Sequence, residues 1–192
     1  MLRRIFSIVL ITALSFFGGI TSLVYTLNHF SFLQTLTLQT WQAFPEFGTN
    51  QADPYARAQA VRDDVVVLGK GEGIIFQCTK DDSGRPLEGG HHYRLVGLPP
   101  AAKFFSLYTA QPNHKNFKFS KDVPSFLTSY TIAATDPHGH FTVDIAPFAQ
   151  PYNWLASPQK GRYILLFTLY DSSISGATIL QRFDFPHIYC VD

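Results

Sequence analysis

At 192 residues the chain has room for one domain plus an anchoring or targeting segment. Charged residues make up only 15% of it, against about a quarter in an ordinary soluble domain, so part of the chain is expected to live away from water. Beyond Arg3 and Arg4 the chain carries 13 basic against 14 acidic side chains. That balance, with no basic run or stripe, excludes the phosphate-neutralising footprint of a nucleic-acid partner.

The first predicted element is a membrane span. From Ile5 to Leu27 the chain runs IFSIVLITALSFFGGITSLVYTL without a charge, and a helix of that length covers roughly 34 Å, enough to cross a hydrocarbon core of about 30 Å. Its Ser and Thr residues can return their hydroxyls to the preceding helical turn. Arg3 and Arg4 precede the segment and the next basic side chain is Arg57. The positive-inside bias therefore places the N-terminus in the cytoplasm and the rest across the inner membrane, in the periplasm. A cleaved signal peptide is the competing reading. It would have an apolar region of about 7–15 residues ending at a small-x-small site. Leu23-Val24-Tyr25 stands where small residues would be needed, which favours a retained anchor. The expected division is a cytoplasmic terminus over 1–4, an anchor over 5–27, a stalk or linker over 28–52 and a β-domain over 53–192.

Ser31 to Phe44 alternates apolar and polar residues and fits a helix, a strand or a stalk, until Pro45 and Gly48 end it. Asp53-Pro54 then pairs a favoured N-cap with a favoured first helical residue, which predicts a short helix ending near Asp63-Asp64. Beyond Val65 strands take over. Ile74–Thr79 and His91–Val96 flank a turn-rich Asp81–Pro86 linker and predict a hairpin. Lys103–Thr109 predicts a strand, and Val123–Ser129 a short helix or loop. Tyr130–Thr135 and His140–Ile145 bracket Asp136-Pro137-His138-Gly139, a second hairpin turn. Arg162–Tyr170 is the most apolar strand and is expected at the centre of the sheet; Arg182–Ile188 closes the domain. The fold class is mainly β: an antiparallel sandwich or jelly-roll-like domain with one short helix, preceded by a single transmembrane helix.

A set of residues in order carries a resemblance. Trp41, Pro45, Gly48, Asp53-Pro54-Tyr55 and Arg57-Ala58 are followed by Leu68-Gly69, Glu72-Gly73, Phe76, Tyr93 and Gly97. Asn153-Trp154-Leu155, Gly161-Arg162-Tyr163, Leu169-Tyr170-Asp171 and a terminal Pro186-x-Ile188-x-Cys190 complete it. From Trp41 to Cys190 the chain resembles the DUF1214 domain of bacterial proteins, in its short, singly anchored form. The resemblance implies a β-sandwich-type fold and a cell-envelope location, and supplies no mechanism. Longer relatives carry a DUF1254 domain ahead of this one, so an envelope protein of the DUF1254 type is the partner it implies. The chain departs from the subgroup beside Tyr93, where relatives often carry a cysteine and this chain has His92. Its two cysteines are Cys78 and Cys190. An oxidising compartment and an even count allow them one disulfide, worth roughly 4 kcal/mol by loop closure, or leave them as two buried thiols.

The chemistry is sparse. His91-His92 would point to opposite faces of a strand and cannot easily share an ion. His138 and His140 could share a face, but they sit at a turn and no Glu follows at short spacing to complete a ligand set, so no metal and no cofactor is expected. Ser125, Ser129 and Ser157 lack a nucleophile elbow. The Gly69–Gly73 stretch lacks phosphate-loop spacing. The candidate ligand-binding set is Tyr55, Arg57, Glu72, Arg162 and Asp171, all within the family-like pattern. Tyr55, Arg57 and Glu72 would line a cleft where the short helix meets the sheet, suited to a carboxylate, phosphate or sugar. A non-catalytic envelope module that binds a protein or small ligand is the leading expectation. An enzyme acting on envelope carbohydrate or lipid through paired Glu72 and Asp171 is the alternative. A third reading has Gly18 and Gly19 admitting close helix association, although the Gly-x-x-x-Gly spacing is missing.

Overall fold

The computed structural model describes residues 2–29, 36–43, 48–49, 52–54, 57–58, 61, 68–69, 71–100, 102–132, 136–172 and 184–191. It divides into two compact units, Met1–Leu33 and Gln34–Asp192. The first holds α1 (Leu2–His29). Within it Arg3–Thr26 has a mean hydropathy of 2.0 with none of the tested window buried, long and apolar enough to cross a membrane. Thr12 and Thr21 donate their hydroxyls to the carbonyls of Ile8 and Phe17 at 2.9 and 2.7 Å, and Ser7 and Thr26 do the same to Arg3 and Ser22. These four hydroxyls are thus satisfied within the helix.

The second unit is two sheets. One orders its strands β1 (Leu36–Leu38), β2 (Trp41–Ala43), β3 (Gly73–Cys78), β9 (Ile164–Ser172), β5 (Ala102–Ala110) and β6 (Phe126–Thr128). The other orders β10 (His187–Cys190), β4 (Tyr93–Gly97), β7 (Phe141–Ala146) and β8 (Trp154–Ala156). Alternation along each strand sends one set of side chains inward. Phe76, Leu107, Leu165 and Phe167 from the first sheet meet Leu95, Val143, Leu155 and Ile188 from the second in one core. The strand β9 sits between β3 and β5, as its unbroken apolar run predicts. Ile164 and Leu166 face a second, smaller cluster while Leu165, Phe167 and Leu169 face the main core.

The mainly β, two-sheet class stands, with four departures from the sequence reading. The sheets are not wholly antiparallel: β7 and β8 run parallel, with Asp144 opposite Trp154. The loop between them doubles back because Asn153 Nδ2 donates to the Thr142 carbonyl at 2.8 Å and the Asp144 amide donates to the Asn153 carbonyl at 2.9 Å. The strands expected as a first hairpin, β3 and β4, lie in different sheets. The Asp81–Arg85 turn closes on itself, with the Asp81 amide 2.8 Å from the Arg85 carbonyl. The chain then buries Leu87 and crosses the core. Val123–Ser129 supplies β6 rather than a helix or loop, because buried Leu127 docks it on β5. Within the stretch expected as a stalk, β1 and β2 join the sheet, since fully buried Trp41 and Ala43 hold β2 against β3. At the expected short helix, the Arg57 amide donates to the Asp53 carbonyl at 3.0 Å, one helical turn; Tyr55 and residues 62–67 lie outside the described residues.

Candidate functional site

The residues singled out in the sequence do not converge on one place. Glu72 and Asp171 are brought together, directly opposite each other where β3 and β9 pair, and the Asp171 amide donates to the Glu72 carbonyl at 3.2 Å. Both side chains are exposed and both are engaged. Glu72 Oε2 accepts from the Gly69 amide at 3.0 Å, and Asp171 Oδ2 accepts from Lys103 Nζ at 2.8 Å. Hydrogen bonding to Asp171 raises the Lys103 ammonium above its ordinary value. Arg162 stands at the other end of β9, about 30 Å from Asp171 at strand rise, with its Nε 3.7 Å from Glu88 Oε1. Arg57 is exposed, and the Tyr55 end of the expected cleft falls outside the described residues. His140 Nδ1 lies 3.2 Å from Asp136 Oδ2 within the turn that precedes β7. Among the described residues no group of three or more His, Cys, Asp or Glu side chains could hold a metal ion.

A different arrangement emerges on the outward face of the four-stranded sheet. Strand register lines up Tyr189, Arg94, Asp144 and Trp154 across β10, β4, β7 and β8. Asp144 is nearly buried, and its Oδ1 accepts from Arg94 Nε at 2.8 Å and lies 3.0 Å from His92 Nε2. The indole of Trp154 is pinned by donation from its Nε1 to the Ala146 carbonyl at 3.0 Å. Sequence reasoning weighed His92 against its neighbour His91 and missed this row. The available signals were His92 and Arg94 two residues apart on one strand face, and a lone carboxylate, Asp144, inside an apolar strand. The partner fifty residues away carried no local mark.

Beside Trp154 a cleft of about 510 Å³ opens, lined also by Pro124, Leu127, Thr131, Gln150, Tyr152 and Asn153. Tyr152 is 90% exposed and its backbone lies at φ +66°, the left-handed region that tyrosine rarely adopts. Across β6, a cleft of about 370 Å³ is walled by Tyr108, Phe117, Phe119 and Phe126. A smaller one of about 210 Å³ lies among Arg85, Glu88, His91, Tyr93 and Cys190.

A family model described as a protein of unknown function, DUF1214, matches residues 72–174, more than half of the sequence. The chain belongs to the DUF1214 family. Among solved structures, the VPA0106 protein from Vibrio parahaemolyticus is similar, with a TM-score of 0.58 at 19% identity over 91% of this chain and 43% of that one. This likeness is one of fold. A putative uncharacterised protein from Burkholderia cenocepacia gives a TM-score of 0.41 at 13% identity over 77% of this chain and 46% of its own. The DUF1214 chain thus spans less than half the length of the solved structures it matches. No curated protein matches it.

The two cysteines of this DUF1214 domain end on different sheets, and both are free thiols in the structure. Burial pushes the Cys78 thiol up to about 11, although its Sγ donates to the Lys80 carbonyl at 2.9 Å. Cys190 pairs across β10 and β4 with Tyr93, whose ring packs edge-on to Tyr163 at 6.2 Å. Burial holds the Tyr163 phenol well above its ordinary range. Its hydroxyl has no hydrogen-bond partner among the described residues. An inert thiol and a neutral phenol make this a packing region rather than a nucleophilic one.

Proposed function

We propose that this DUF1214 chain is a single-pass, membrane-anchored binding module of the cell envelope, with its β-domain in the periplasm and its N-terminus in the cytoplasm. One observation carries the binding half of this reading. The cleft beside β8 is walled by aromatic, amide, hydroxyl and apolar groups, with no carboxylate, imidazole, thiol or amine among the described residues that line it. Such a wall holds a ligand without a group that exchanges protons near neutral pH. The carboxylates that an enzyme would need, Glu72 and Asp171, are exposed and already bonded elsewhere. The anchoring half is supported by the uncharged run of α1 behind Arg3 and Arg4. A DUF1254-type envelope protein is the first macromolecular partner this reading names.

A reporter enzyme that is active only after export, fused behind Val191, tests the placement. It is expected to be active, and the membrane-bound protein is expected to yield an N-terminal peptide that includes Arg3 and Arg4. An inactive reporter on a stably produced fusion, or a mature protein lacking α1, would remove the reading.

A further inference from the structure

We propose that the cleft beside β8 binds a neutral carbohydrate, with a pyranose ring laid against the aromatic faces of Tyr152 and Trp154. The argument begins with backbone cost. Tyr152 sits at φ +66° with its side chain 90% exposed. A bulky residue in that region is strained, and strain of this kind persists where surrounding structure enforces it, most often at binding sites. The enforcement is visible on both sides. Asn153 is tied through its side-chain amide to Thr142 and through its carbonyl to the Asp144 amide. The indole of Trp154 is tied to Ala146. The loop therefore holds the backbone of one exposed ring and the indole of one half-buried ring at the same cleft, which lowers the ordering that binding must supply.

Polar chemistry narrows the ligand. Gln150 and the Tyr152 hydroxyl make no hydrogen bond among the described residues, so both an amide and a phenol are on offer to a ligand. Thr131 Oγ1 is already occupied, accepting from the Thr128 amide at 2.8 Å and donating to the Thr128 carbonyl at 3.0 Å. Among the described residues no charged side chain lines the cleft, so none of them would compensate an anion or a cation. A pyranose has an apolar C–H face for a ring to cover and an equatorial belt of hydroxyls for an amide to bond. It carries no charge. The cleft volume, about 510 Å³, falls within the range of sites that hold small molecules.

This inference deepens the binding-module reading by naming a ligand class, and its test is independent of where the domain resides. The full-length protein is held in a phosphocholine detergent, whose headgroup contains no sugar, and titrated separately with maltohexaose, chitotetraose and a hexuronate oligomer. Binding is read by tryptophan fluorescence and by calorimetry. Trp41 is fully buried and stays constant, while Trp154 reports. At least one neutral oligosaccharide is expected to give a saturable change, and Tyr152→Gly is expected to weaken it by about tenfold or more. Gln150→Ala, also outside the core, is expected to weaken it less. Absence of saturable binding by both neutral oligosaccharides, binding confined to the hexuronate, or affinity unchanged in Tyr152→Gly would overturn the proposal. None of those results would alter the export and anchoring experiment.

Discussion

Two corners of the β-domain treat their polar groups in opposite ways. At the corner formed by Trp41, Cys78 and Asp81, the indole of Trp41 donates to the Pro186 carbonyl at 2.8 Å and the Cys78 thiol is turned to Lys80. The Asp81 carboxylate accepts from the Ser83 hydroxyl at 2.6 Å, the Arg85 amide at 2.9 Å and Arg85 Nε at 3.1 Å. At the corner formed by Gln150, Tyr152 and Trp154 the backbone is strained, an aromatic ring faces water and an amide is left for something else. The 79–86 stretch carries two Asp, a Ser, a Gly and a Pro, and the 147–153 stretch two Pro and an Asn, so both look like turn sequences. Satisfaction of hydrogen bonds, rather than residue type, separates the structural corner from the one available for recognition.

The largest test of that contrast is Trp41→Ala. Trp41 is fully buried against Phe167 and Phe185, at ring distances of 5.7 and 6.4 Å. Its loss leaves a cavity and an unpaired Pro186 carbonyl, for an expected cost of about 3–5 kcal/mol in denaturant unfolding. An unchanged midpoint would show that β2 is not part of the fold's foundation. Next comes Cys78. A thiol raised to about 11 presents roughly 100-fold less thiolate at pH 8 than an ordinary one. Alkylation of the native protein should therefore leave Cys78 unmodified on the timescale of a model thiol, while denaturation should reveal two titratable thiols. A denatured, non-reduced protein with none would instead establish the Cys78–Cys190 bridge.

The sequence made parts of this contrast legible and hid others for physical reasons. The continuous run over β9 announces a strand buried on both faces, because no solvent-facing alternation interrupts it. The Asp81–Arg85 turn was equally plain from its residues. Which sheet the chain enters after that turn was not, since local turn chemistry is silent about a crossover. The short strand β6 hid behind Pro124 and a single buried leucine. Glu72 and Asp171 were named in the sequence, and the strand register sets their backbones opposite each other, yet their side-chain partners, Gly69 and Lys103, could only be seen in space. Tyr152 carried no signal at all: a left-handed backbone at a tyrosine is a property of the folded loop.

A subtler effect is expected at Asp81. Burial acts to raise its carboxyl, and the bonds from Ser83 and from the Arg85 amide and guanidinium outweigh burial and bring it below its ordinary value. A carboxyl depressed on folding stabilises the native state above its unfolded value, about pH 4, and that contribution is lost as pH falls through the folded value. Asp81→Asn should therefore cost about 2 kcal/mol at pH 7, with the gap to the parent closing below pH 4. A gap independent of pH would mean the carboxylate's charge is irrelevant to the turn. The smallest effect belongs to the open corner. Tyr152→Gly relieves the left-handed strain and should leave thermal stability unchanged or raise it by up to about 1 kcal/mol. A clear loss of stability there would make the loop structural after all.

The bond from Trp41 to Pro186 joins residues 145 positions apart, and the last strand, β10, is held by β4 from the middle of the chain. Contacts of such long range cannot form until almost the entire polypeptide has been synthesised, which favours slow, late folding over piecemeal folding behind the ribosome. The nascent chain stays without its tertiary fold during that interval, and on the proposed route that is the form a narrow protein-conducting channel could pass.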